Sequence, residues 1–268
     1  MIITSAANPV IKHIRKLKDR KFRAESGQFF IEGTRIVIEA LEIPEAVEKL
    51  IVAREFLRSE SAIQAINNAK KSDVEILEVT AAVFESFSVK DGPQGLAAVG
   101  RQKWQELNDI QDNLSGLWLA LYQIADPGNL GTLLRSLDGM GGKGIILLDN
   151  CTDPYDPASM RASMGAILSK PLVRSSSLDF IAWLERQPLP VIGTSDAAKD
   201  GYRSITYPKE MVLLMGSERE GLPANLMKVC AKVVSIPMLG KCDSLNLSVA
   251  ASIILYEYQH QHPVQEKG

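Results

Sequence analysis

The stretch LWLALYQI, residues 117–124, is a nearly unbroken apolar run, and ADPGNLGTLLR, residues 125–135, follows it directly. A run this short and this apolar predicts a strand buried on both faces. Leu130, Leu133, Leu134 and Leu137 then fall on one face of a helix, read here as Leu130 to Met140. The pattern repeats outward along the chain. Strands are predicted at Gly144–Asp149, Leu189–Thr194, Val212–Met215 and Val233–Ile236, with helices at Leu178–Arg186, Pro223–Val229 and Leu245–Tyr258. Buried strands alternating with helices predict an α/β fold with a parallel sheet covered on both faces. Such sheets hold ligands in the loops beyond the strand carboxyl ends.

The first part of the chain reads differently. A helix is predicted from Asn8-Pro9, since Asn caps well and Pro is tolerated at the first helical position. Strands follow near Gln28–Ile31, Leu50–Ala53, Val74–Val79 and Leu96–Val99, with helices at Thr34–Leu41 and Ser59–Lys71 and a turn at Asp91–Gly95. Residues 100–115 are polar and end in Ser-Gly, which predicts a linker. The expected domains are therefore 1–99 and 116–268. Between Val10 and Arg23 lie Lys12, Arg15, Lys16, Lys18, Arg20, Lys21 and Arg23 against one acid, Asp19. This basic helix suits contact with phosphates, although a solvated charged face reads the same way.

Composition excludes several classes. The net charge of the 268 residues is −2, so charge alone announces no nucleic-acid binder. Three scattered cysteines, Cys151, Cys230 and Cys242, form neither a disulfide framework nor a metal cluster; no metal site is expected, and a reducing cytosol fits. No apolar run reaches membrane-spanning length and no signal peptide is read, so a cytoplasmic location away from membranes is expected. Gly139-Met140-Gly141-Gly142-Lys143-Gly144 satisfies G-x-G-x-x-G, but it follows a helix and precedes a strand. That is the reverse of a dinucleotide fingerprint, and a nicotinamide cofactor is rejected. His13, His260 and His262 lie in the first helix and in an expected loose tail from His260, so no Ser-His-Asp triad is supported.

Three loops remain. In Asp126–Arg135, Gly131 beneath Arg135 at a helix start leaves room for an anion; alternatively Asn129 is only an N-cap and Arg135 pairs with Asp138. In Val212–Pro223 a strand enters a glycine-bracketed loop where Glu218 could orient Arg135. In Val234–Asn246, Ser244 reads as the N-cap of the last helix, and Asn246 is left as a polar residue within it. That helix is apolar nearly all round, predicting either a core element or an oligomer interface.

Together, N-x-G-x-x-x-R (Asn129 to Arg135), M-G-S-E-x-x-G-L-P (Met215 to Pro223) and I-P-M-x-G-x-x-x-S-L-N (Ile236 to Asn246) resemble the three signature motifs of the SpoU/TrmH family of SPOUT methyltransferases. Asp153-Pro154-Tyr155 and Arg161–Ala166 are also similar to that family. Phe29–Gly33 with the basic helix resembles the L30e-like RNA-binding domain of rRNA-modifying members. The resemblance implies a trefoil knot in the C-terminal domain and a homodimer formed through that domain. It implies S-adenosylmethionine held by Gly216, Ile236 and Leu245, with Thr194 at the pocket wall. It implies ribose 2′-O-methylation of RNA, expected to be large-subunit rRNA with tRNA as the alternative; a non-catalytic RNA-binding protein is a further reading. In that family Asn129 would hold ribose or phosphate, Arg135 would act at the 2′-hydroxyl, and Glu218, Ser244 and Asn246 would support them. A guanidinium stays protonated, so Arg135 is read as an electrostatic stabiliser rather than a base.

Overall fold

The computed structural model describes residues 2–89, 92–187 and 189–263. Asp91 of the predicted turn and the residues after 263 lie outside this range. By packing, the chain forms two units: Met1–Gln102 with Asp153–Ser169, and Lys103–Thr152 with Lys170–Gly268.

The first unit is built on strands β1 (Gln28–Glu32), β2 (Val47–Val52), β3 (Glu75–Glu78) and β4 (Leu96–Arg101), in the order β1-β4-β2-β3. β4 runs antiparallel to both neighbours, pairing Phe30 with Val99 and Leu50 with Ala98, while β2 and β3 are parallel. Ile11, Ile14 and Leu17 from the N-terminal segment pack with Phe30, Ile51, Phe84, Phe87 and Val99.

The single basic helix expected over Val10–Arg23 is two helices, Pro9–Lys16 and Arg20–Ser26. Asn8 caps the first as predicted, accepting from the Val10 amide at 2.9 Å. Asp19 breaks the run because its carboxylate accepts the Phe22 amide at 3.0 Å and starts a new helix; a short acidic side chain is better used at a cap than inside a helix. Gly27, at φ +65°, ends that second helix.

The segment Asp153–Ser169 belongs to this unit although it lies far along the sequence. Its helix Pro157–Ser163 is capped by Asp156 and stops at Met164, whose φ is +51°. The Phe29 and Tyr155 rings stack with centroids 5.1 Å apart. The domains expected from sequence, 1–99 and 116–268, do not foresee that this segment packs with the first unit.

The second unit holds β5 (Leu117–Tyr122), β6 (Gly144–Leu148), β7 (Leu172–Ser175), β8 (Val191–Thr194), β9 (Asp200–Gly201), β10 (Met211–Met215) and β11 (Lys232–Ser235). The order is β7-β6-β5-β10-β8-β11-β9, and every pair is parallel. β7 and β9 were not anticipated. Trp118 and Ala120 of β5 share one core with Ile146, Val173, Phe180, Trp183, Val212 and Leu214. Leu117, Leu119 and Leu121 alternate to the other face and are equally buried. Helices Pro127–Gly139 and Leu247–Gln261 pack on each other, burying Leu130, Leu133, Leu134 and Leu137 from the first and Ala251, Ile254 and Leu255 from the second.

Three local expectations need correction. The linker is no free spacer, since Arg101 is still in β4 and Leu107 and Ile110 are part of the second unit's core. The last helix begins at Leu247, and it continues through His260 to Gln261, so His260 is not in a loose tail. That helix also has one buried stripe, leaving Val249 and Tyr256 about half exposed at 47% and 50%. Among the described residues, no helix is long and apolar enough to cross a membrane.

Candidate active site

Every motif loop of the second unit leaves the sheet at a strand's carboxyl end: Asp126–Asn129 after β5, Gly216–Leu222 after β10 and Ile236–Asn246 after β11. Asp126 caps helix Pro127–Gly139, accepting the Asn129 amide at 2.6 Å, with Pro127 in the first turn. Asn129 is therefore not the N-cap, and its side chain is free for other partners.

Gly216 is required by its own loop. A Cβ there would lie 2.2 Å from the Gly221 carbonyl carbon. Ser217 and Gly221 exchange two backbone hydrogen bonds of 3.1 Å, and Gly221 has φ +67°. This fold-back presents Glu218 at the loop's turn.

The N-cap of the last helix is Asn246, not Ser244. Asn246 Oδ1 accepts from the Ser248 amide and hydroxyl at 2.9 and 2.6 Å and from the Val249 amide at 3.4 Å. This resolves the polar residue that sequence left inside an apolar helix. Its Nδ2 donates to Asn129 Oδ1 at 2.9 Å, and Asn129 Nδ2 donates to Glu218 Oε1 at 3.2 Å. The other Glu218 oxygen accepts the Ala125 amide at 3.4 Å. One side-chain chain thus links residues 117 positions apart across all three loops.

Arg135 stands outside that chain. It is exposed and, among the described residues, makes no hydrogen bond or ion pair, so Glu218 does not orient it. Asp138 pairs with Lys170 at 3.0 Å rather than with Arg135.

Beside the loops lies a cavity of about 700 Å³. Thr194, Gly216, Ile236 and Leu245 all line it, and so do Glu218, Ser244 and Asn246; Asn129 and Arg135 do not. Met215, Leu222, Met227, Val234 and Ile254 give it an apolar wall, while Asp196, Glu218, Glu220 and Asp243 set four carboxylates against one guanidinium, Arg219. Such a volume suits a cofactor-sized ligand, and the charge balance favours a cation. The Thr194 hydroxyl donates to the Leu214 carbonyl at 3.4 Å. No cluster of metal-ligating side chains occurs among the described residues.

Of the seven basic residues read as an RNA footprint, Lys12, Lys16, Lys18, Arg20 and Lys21 are exposed and Arg15 is half-buried. Arg23 is a correction. It is 1% exposed, and its guanidinium donates to Asp153 at 2.8 Å, to Asp156 at 3.1 Å and to the Leu17 and Lys18 carbonyls. Held by four acceptors inside the first unit, it is a structural residue.

Residues 116–256 match the SpoU rRNA Methylase family. The chain belongs to that family. Ahead of that SpoU match, residues 8–98 match the MRM3-like substrate binding domain. The AdoMet-bound rRNA methyltransferase of Sinorhizobium meliloti superposes with a TM-score of 0.90 at 34% identity, over 99% of each chain. The SpoU methyltransferase AviRb of Streptomyces viridochromogenes, in complex with the cofactor AdoMet, gives 0.84 at 27% identity over 95% of this chain and 99% of that one. The 23S rRNA (guanosine(2553)-2′-O)-methyltransferase RlmP of Bacillus subtilis is 28% identical over 95% of this chain and 97% of its own. This SpoU chain is a methyltransferase with a seven-stranded parallel sheet, and its three motif loops converge in space.

Proposed function

We propose that the protein transfers a methyl group from S-adenosylmethionine to a ribose 2′-hydroxyl of large-subunit rRNA. The observation that carries this reading is the Asn246–Asn129–Glu218 hydrogen-bond chain beside a cavity lined by all four residues expected at the cofactor. The relatives named for rRNA 2′-O-methylation, and those solved with AdoMet, support it.

The cavity fits that cofactor by its chemistry. Adenine needs an apolar slot with a few backbone hydrogen bonds, which Met215, Leu222 and Ile254 and the main chain around Gly216 offer. The carboxylate excess complements a sulfonium cation. When bound, S-adenosylmethionine supplies the methyl group. The protein's own contribution is positioning and electrostatics. Asn129 holds the acceptor ribose or its phosphate through an amide already fixed on both sides. Arg135, charged and unpartnered among the described residues, is available to anchor the neighbouring phosphate and to stabilise negative charge growing on the 2′-oxygen. Ser244 lines the same cavity and contributes from the third loop. A trefoil knot through these loops, a homodimer using the exposed stripe of the last helix and a cytoplasmic location belong to the same reading.

The basic segment of the first unit is the proposed RNA contact, through Lys12, Arg15, Lys16, Lys18, Arg20 and Lys21. Neutralising Lys16, Lys18, Arg20 and Lys21 together weakens RNA binding and flattens its dependence on salt by up to about 0.7 per lost phosphate contact on a log–log plot. Equal slopes for variant and parent would remove this surface from the account.

The deciding experiment supplies methyl-labelled S-adenosylmethionine and compares large-subunit rRNA with tRNA, mapping ribose methylation by its resistance to alkaline cleavage. Label in rRNA at one ribose supports the reading; label in tRNA alone moves the substrate, and label in neither returns the chain to a binding role. Asn129→Ala and Arg135→Ala each abolish most turnover while cofactor affinity, read by calorimetry, stays near the parent's.

A further inference from the structure

We infer that Asn246 is a positioning residue which sets the polarity of the Asn129 amide, so that Asn129 meets the RNA as an N–H donor. The inference rests on the methyl transfer proposed above and names a device within that site.

An asparagine amide has one face that accepts and one that donates, and the two are nearly the same shape. What orients it is its neighbours. At Asn246 the orientation is forced by the backbone. The Ser248 and Val249 amides at the start of the last helix can only donate, so the Asn246 oxygen must face them. Its Nδ2 must then face Asn129, and only the Asn129 oxygen can receive it. That leaves Asn129 Nδ2 directed at Glu218, an acceptor. A helix N-terminus thereby dictates, through two amides, which atom of Asn129 is spent and which remains. The oxygen is engaged by Asn246; the second Nδ2 hydrogen has no partner among the described residues. A free N–H hydrogen recognises an oxygen acceptor, such as a ribose or phosphate oxygen, and it repels a donor. Reversing the amide would turn its one oxygen toward that group and the Glu218 carboxylate, and set its NH2 against the Asn246 NH2.

Asn246→Asp tests this. The carboxylate keeps the cap, because it accepts the same backbone amides, but it has no hydrogen for Asn129. Asn246→Ser is less similar in shape, yet its hydroxyl both accepts at the cap and can donate onward. Three readouts separate the possibilities. In a protein with 15N-labelled asparagine side chains, the Asn129 amide signals move in Asn246→Asp and move less in Asn246→Ser. Turnover of RNA falls by about 100-fold in Asn246→Asp, with the change in kcat rather than in KM, as for a misplaced reactive group. Asn246→Ser retains more turnover than Asn246→Asp. The thermal midpoint stays near the parent's in both. Unchanged Asn129 signals in Asn246→Asp, parental kcat in that variant, or Asn246→Ser being the less active of the two would each overturn the inference. A parent protein that methylates no RNA would instead sink the proposed function, and the amide signals would still decide whether Asn246 orients Asn129.

Discussion

Arg23 stands in a run of seven basic residues, yet it is the one of them sealed from water. Sequence sees its charge and not its four acceptors, two of which arrive from Asp153 and Asp156, about 130 positions away. Removing one partner of a buried pair leaves the other charge uncompensated, so Arg23→Ala is expected to cost about 3–5 kcal/mol. Lys16→Ala, on the exposed surface, should stay within about 0.5 kcal/mol of the parent. Urea melts of the two variants check both values, and equal losses would contradict the assignment. The cysteines differ in the same way. Burial pushes the Cys230 thiol up to about 11, so at pH 8 only about a thousandth of it is thiolate. Cys242 is exposed on the third motif loop. Brief iodoacetamide treatment at pH 8 should modify Cys242 and spare Cys230, whose labelling rises as pH climbs towards 11; peptide mass spectrometry reads the ratio.

Whether a polar residue starts a helix or lies within one decided much of what sequence could reveal at the scale of the element. The apolar periods placed β5, β6, β8, β10 and β11 within about two residues, because a strand buried on both faces has no other reading at that length. β7 was missed since its four residues include Arg174 and Ser175, which dilute the signal, and β9 has only two residues. Ser244 and Asn246 are both good caps, and composition cannot choose between them; the choice is made by the chain's path, which brings Asn246 to Asn129. The motif residues were legible as a group, while the pairing of Glu218 with Asn129 instead of Arg135 needed coordinates. The caps give a further test. Asp126→Ala removes the acceptor for the Asn129 amide, and it should cost about 1 kcal/mol and also lower methylation, because it loosens the turn that carries Asn129. Asp19→Ala should cost a similar amount with no loss of turnover on saturating RNA. Thermal midpoints alongside initial rates distinguish the two, and equal effects on rate would refute the difference.

Taken whole, the molecule packs together segments that lie far apart in its sequence. The family match to the methylase begins at residue 116, yet Asp153–Ser169 from inside that match completes the first unit. A fragment ending at Gln102 leaves Arg23 without its carboxylates and Phe29 without Tyr155. It should lose about 3–5 kcal/mol from the ion pairs alone, a drop of more than about 10 °C in midpoint for a domain of this size. Joining 153–169 to it by a short flexible linker should recover most of that, as differential scanning calorimetry would show.

Synthesis meets this arrangement in a particular order. The nascent chain exposes Phe29 and Arg23 early, but their cover emerges only once residue 169 has cleared the exit tunnel. At ordinary rates of translation the interval from residue 102 is about 3–13 s. For that time the amino-terminal unit is an unfinished surface held beside the ribosome, and a synonymous codon change that slows residues 103–169 should lengthen its exposure to chaperones and proteases without altering a single contact in the finished protein.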